Sequence, residues 1–204
     1  MSDTPTTTTL QIHLPIRQDE ESFQDLFVER IAEALTISEL GVVHDATRHL
    51  DEEEEPLGAT ITLHLVEELN AKQMDGFETL LTQFGAPRHS TMEQRLDASS
   101  GEPTERREFG NTQGLAIYLD GVNLDPKIYK KYDLDRAWDA VNNELGETGM
   151  AFGYHEGNTE TAIYMYGPNA QQMLDAIAPL LQKHPLFRQA RTVMLAEDKP
   201  WQTD

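Results

Sequence analysis

The chain has 204 residues, of which 38% are hydrophobic, 16 are Lys or Arg and 36 are Asp or Glu; there is no Cys. The resulting formal charge of −20 repels nucleic-acid phosphates and anionic membrane surfaces and favours a basic partner or a cation, while the lack of cysteine excludes disulfides, thiolate zinc sites and a cysteine nucleophile. No apolar run approaches the roughly 20 residues that span a bilayer, and the opening MSDTPTTTTL has neither the basic start nor the apolar core of a signal peptide, so the expected setting is cytoplasmic with no membrane contact.

In chain order, residues 1–8 read as a mobile tail, because TPTTTT has little to bury. The run LQIHLPI places Leu10, Ile12, Leu14 and Ile16 on one side of a strand and Gln11 and His13 on the other. A helix is expected from about Ser22, as its cap, with Phe23, Leu26, Phe27, Ile31, Ala34 and Leu35 as its apolar stripe. Strands near 42–50 and 61–65 flank the bend DEEEEPLG and read as a hairpin, in which Thr60, Thr62 and His64 alternate with Ile61, Leu63 and Leu65. A helix after Asn70 carries Met74, Phe77, Leu80, Leu81 and Phe84, and residues 88–96 form a last strand. Residues 97–113, polar and rich in Gly and Ser, read as a linker.

The same order then recurs. GLAIYLDG is a strand, and the insertion VNLDPKIYKKYD precedes a helix that Asp133 caps and that turns Leu134, Ala137, Trp138, Val141 and Leu145 to one face. MAFGYHEGNTETAIYMYG is a second hairpin, NAQQM opens a helix, and RQARTVML closes as a strand before a tail at 197–204. NAQQM at Asn169 repeats NAKQM at Asn70 in four of five letters, 169 − 70 = 99 positions later. The expected fold class is therefore α+β: two tandem duplicated ferredoxin-like (split βαββαβ) units, 9–96 and 114–196, each with four antiparallel strands in spatial order 4-1-3-2 and both helices on one face.

In this arrangement the face away from the helices is the informative one. In the first unit it should show His13 beside His64, with Gln11, Thr60 and Thr62 around them. In the second it should show Tyr118 beside Tyr164 and Tyr166, with Phe152 or Tyr154 next to them. Aromatics on such strands are how RNA-recognition motifs stack bases, but the basic groove and the RNP1 pattern are missing, so no nucleic-acid partner is expected. Cover by the other unit's sheet, or by a second copy in a homodimer through open sheet faces, is favoured over a small-molecule pocket.

His13, His44, His49, His64 and His89 lie on or near the strands of the first half. They lack the fixed close spacing of a metal site and read as surface or hydrogen-bonded side chains. No phosphate loop, nucleophile elbow, HExxH or dinucleotide fingerprint is present, so neither catalytic residues nor a cofactor are expected.

The charge is uneven. Residues 1–100 hold 6 basic against 20 acidic side chains, a net −14, and residues 101–204 hold 10 against 16, a net −6. The candidate interaction surface is accordingly the acidic bend Asp51, Glu52, Glu53, Glu54 and Glu55, the aromatic face Tyr118, Tyr164 and Tyr166, and the basic cluster Lys127, Lys130 and Lys131. The leading functional reading is a noncatalytic acidic protein-binding module of the immunity or antitoxin kind, which inhibits a basic protein partner. A small-molecule sensor or enzyme using the aromatic sheet face and a structural subunit are the alternatives.

Overall fold

The computed structural model describes residues 8–96 and 102–195. The expected tails at 1–8 and 197–204 lie outside the described residues, apart from Thr8, which begins the first strand. The first half runs β1 (Thr8–Leu14), α1 (Glu20–Phe23), a π turn (Gln24–Val28), α2 (Glu29–Ser38), β2 (Gly41–Leu50), β3 (Pro56–Leu65), α3 (Ala71–Gln83), β4 (Ser90–Arg95) and β5 (Glu105–Phe109). The second half runs β6 (Gln113–Asp120), α4 (Pro126–Lys131), α5 (Leu134–Leu145), β7 (Met150–Glu156), β8 (Glu160–Gly167), α6 (Ala170–Lys183) and β9 (Arg191–Met194). This is a mixed α+β chain with two antiparallel sheets, ordered β2-β3-β1-β4-β5 and β7-β8-β6-β9.

Alternation places Leu10, Ile12 and Leu14 of β1 with Ile61, Leu63 and Leu65 of β3 against the helices. The buried helix residues Phe23, Phe27, Ile31 and Leu35 recur at every fourth position. In a 3.6-residue helix each such step drifts by about 40° off the stripe; the wider π turn at 24–28 offsets part of that drift and keeps both phenylalanines inward. The helix begins earlier than its sequence suggests. Asp19, not Ser22, is the cap: its carboxylate accepts from the Ser22 backbone N at 2.8 Å and from the Ser22 hydroxyl at 2.8 Å.

The repeated pentapeptide has a local cause in each half. Asn70 accepts from the Gln73 N, whose side chain accepts in return from the Asn70 N, and Asn169 accepts from the Gln172 N. One turn in, Met74 and Met173 are both fully buried. Cap, Gln and core Met are thus the start signal of α3 and of α6.

Of the expected linker 97–113, residues 97–101 lie outside the described residues, and the remainder is more than a connection. Residues 105–109 form β5, paired along β4, and Arg107 reaches across to Asp75 of α3. Beyond β5 the chain is stitched to the end of α3: Asn111 N donates to Ala86 O, Arg88 N to Thr112 O and the Thr112 hydroxyl to Gly85 O. Gly110, at φ 93°, passes so close to Pro87 O that a Cβ would lie 1.9 Å from it. The passage between halves is therefore a fixed contact.

Asn70→Ala and Asn169→Ala each remove one cap. Each should lower unfolding free energy by about 0.5–2 kcal/mol without changing the spectrum of the folded state, measured by urea denaturation.

Candidate functional site

The face of the second sheet that turns away from its helices is covered by one end of the first half. Ala116, Tyr118, Phe152, Ala162, Tyr164 and Tyr166 belong to the same apolar cluster as the first half's core, whereas Leu115, Ile117, Ile163 and Met165 pack with α5 and α6 in a separate one. Tyr118, Tyr164 and Tyr166 are 7%, 0% and 2% exposed. The cover is the end of the first unit, made by the β1–α1 connection, the β2–β3 bend and the end of α3, rather than its sheet face. The tyrosine face is therefore occupied within one chain and is not free to meet a second copy.

The junction centres on Glu55. Its Oε1 accepts from the Tyr118 hydroxyl at 2.5 Å and the Tyr164 hydroxyl at 3.0 Å, and it is ion-paired with Arg17 Nη1. Arg17 also donates its backbone N to the Tyr166 hydroxyl at 2.8 Å. Gln18 Nε2 donates to Phe152 O and Tyr154 N to Asp19 Oδ2, so consecutive residues 17–19 each hold the second sheet. Burial, and then the hydrogen bond to Glu55, pushes the Tyr118 hydroxyl up to about 12; burial raises Tyr164 and Tyr166 as well.

Of the sequence-derived candidates, Glu55, Tyr118, Tyr164 and Tyr166 thus converge. Asp51, Glu52, Glu53 and Glu54 stay exposed on the bend, which Asp51 organises by accepting from the backbone N of Glu53 and Glu55. Lys127, Lys130 and Lys131 are exposed on α4 and join neither group. Two details of register differ from expectation. His13 faces Thr60, and His64 faces Thr9; His13 and His49 both bond the Thr60 hydroxyl, and His64 stacks on His44 at 3.7 Å. Tyr118 faces Ala162, and Tyr164 faces Ala116, so these tyrosines are diagonal rather than paired. Among the described residues no three His, Asp or Glu side chains are placed to hold a metal ion.

Among the described residues, clefts open at three places along the junction. One of about 220 Å³ lies between the two hairpin turns, beside Glu53, Tyr118, His155 and Glu160, with Arg191 lying 3.5 Å over the Tyr118 ring and paired to Glu160. A second, also of about 220 Å³, lies between α1 and α5. The third, of about 630 Å³, is the largest; Leu26, Phe84, Met150 and Phe152 form its apolar wall. Sequence reasoning missed Arg17 and Arg191, whose partners are remote in the chain. It also put Trp138 among the core residues of α5. Ala137, Val141 and Leu145 are buried there, but Trp138 is only half-buried and meets Tyr154 edge-on.

No family model matches this chain, and no curated protein does either. Among solved structures, an anthrone oxidase-like protein is 12% identical over 90% of this chain and 82% of its own, with a TM-score of 0.28. The regulatory subunit of aspartate kinase from Thermus thermophilus is 14% identical over 84% and 91%, at 0.26. The first two RRM domains of a yeast poly(U) binding protein are 11% identical over 93% and 99%, at 0.24. At these scores the likenesses carry no argument about chemistry. No helix among the described residues is long and apolar enough to cross a membrane.

Glu55→Ala strands Arg17 and two tyrosine hydroxyls and should cost at least about 2 kcal/mol, whereas Glu52, Glu53 and Glu54 changed together to Gln should shift stability by no more than about 0.5 kcal/mol; chemical denaturation separates the two. The raised tyrosines favour the folded state only while protonated. The Tyr118 contribution is complete below the unfolded-state value near 10 and is lost as pH rises through about 12, and the upward shifts of Tyr164 and Tyr166 act in the same direction. The unfolding midpoint should fall across that alkaline range, and less steeply in Tyr118→Phe.

Proposed function

We propose that this protein is a noncatalytic binding module that captures and neutralises a basic protein partner through the acidic end of its first half. The observation that carries this reading is the separation of roles within one acidic run. Glu55 turns inward and fixes the junction, so that the bend is anchored, while Asp51 to Glu54 remain exposed and form no ion pair among the described residues. An anchored group of like charges, in a chain of net −20, creates the field that accelerates encounter with a cationic surface. The bacterial immunity or antitoxin class fits this profile.

We further infer that the halves are duplicated ferredoxin-like units. Support comes from the shared strand order, with β5 added at one edge, and from the matching Asn caps of α3 and α6. Duplication would supply two copies of one scaffold, the second of which uses its open face to clasp the first. The 630 Å³ groove favours a second reading, a sensor of a small apolar ligand at the margin of the aromatic face, since its volume lies within the range of ligand pockets.

A synthetic Lys/Arg-rich peptide tests the first reading. Its association rate should fall by at least about tenfold between about 50 and 500 mM salt, with little change in dissociation. Gln at positions 52, 53 and 54 should slow association in the same way. Binding indifferent to both changes, or saturable binding of small apolar ligands alone, would replace this reading with the second.

A further inference from the structure

We propose that the cleft between α1 and α5 is a recognition pocket for the guanidinium head of a partner's arginine. This deepens the basic-partner reading and rests on it for the identity of the ligand's owner. The cleft is built from both halves: Asp19 and Glu21 come from the start of α1, Leu134, Asp135 and Trp138 from α5, and Tyr154 from β7. Its volume of about 220 Å³ is below the range of whole small-molecule ligands, and it suits the end of one side chain.

Two features make the cleft selective. The Trp138 and Tyr154 rings stand 6.5 Å apart at 83° and form an aromatic corner that lines the cleft, and aromatic rings, indole best of all, attract a flat cation. Around that corner the charges are all negative. Asp19 already holds the Ser22 and Tyr154 backbone N–H groups and shapes the wall. Glu21 and Asp135 are exposed, have no ion pair or hydrogen bond to another side chain among the described residues, and flank the rings from the two halves. Among the described residues no Lys or Arg lines the cleft. Behind the effect of burial, Asp19, Glu156, Glu21 and Asp135 all act to hold the Tyr154 hydroxyl pKa up, as a negative potential does. A guanidinium satisfies the whole set, because it can lie flat on an aromatic ring while its N–H fork meets a carboxylate edge-on; a point-like ammonium cannot do both. Exposed carboxylates alone would attract any cation, and the ring corner adds the shape.

The chain has two tryptophans, Trp138 and Trp201, so Trp201→Phe leaves Trp138 as the sole indole reporter. Titration of that protein with N-acetyl-arginine amide should change the emission saturably. N-acetyl-citrulline amide, which is nearly isosteric and uncharged, should bind at least about tenfold more weakly, and the Glu21→Gln/Asp135→Asn double variant should lose arginine affinity by a similar factor. Tyr154→Ala should weaken arginine binding with thermal unfolding still cooperative. A flat titration, or equal affinity for citrulline, overturns the pocket. The Lys/Arg-rich peptide separates this result from the broader reading. Salt-sensitive peptide binding unaltered by the double variant overturns the pocket and leaves acidic capture standing. Arginine-amide binding without peptide binding upholds the pocket and overturns capture.

Discussion

One carboxylate joins the two halves of this protein. Glu55 collects two tyrosine hydroxyls from the second sheet and the guanidinium of Arg17 from the first half, at a place where all three are largely withdrawn from water. Each of these groups would be costly to bury alone. Together they let the aromatic face of the second sheet close over the end of the first half, and the apolar cluster that results runs without a break from the first core into Phe152, Tyr164 and Tyr166. Tyrosine suits that position because its ring joins the core while its hydroxyl reaches a polar anchor.

This arrangement makes the halves unequal although their strand order is shared. The second sheet spends its open face on the junction. The first keeps a polar face, where His13 and His49 converge on Thr60 and His44 stacks on His64, and it carries β5 along its outer edge. The edge strand is rich in charge, as edges that must not pair with other chains tend to be. The proposed binding surfaces gather on the rim of the junction: the anchored acidic bend on one side, the ring corner of Trp138 and Tyr154 on another. Both are positioned by the junction: Glu55 anchors the bend, while Asp19 lines the corner and holds Tyr154 N, and its neighbours Arg17 and Gln18 bind Tyr166 and Phe152.

Much of the fold was legible in the amino-acid order because its signals are local. Alternation in LQIHLPI and TAIYMY, four-residue spacing in the helices, and the Asn that opens NAKQM and NAQQM all act within a few residues of where they are read. Where two local signals competed, the reading slipped: Asp19 and Ser22 can both cap, and only the chain's path shows that Asp19 does. The strand ERREF was passed over because a charged edge strand has the composition of a linker.

The sequence by itself determined the order of the elements that the two halves share, most of their inward faces, the acidity and its bias towards the first half, but neither β5 nor α4. Tertiary structure decided which charges are free. Glu55 is indistinguishable from its four acidic neighbours in one dimension; it is set apart by hydroxyls 63 and 109 positions away in the chain. Trp138 has helical spacing that fits a core residue, yet the packing of α5 beside α1 leaves it at a cleft. Period and propensity are properties of neighbours along the chain, whereas the sign of a site depends on which remote groups folding brings within a few ångströms, where Coulomb and hydrogen-bond energies are large.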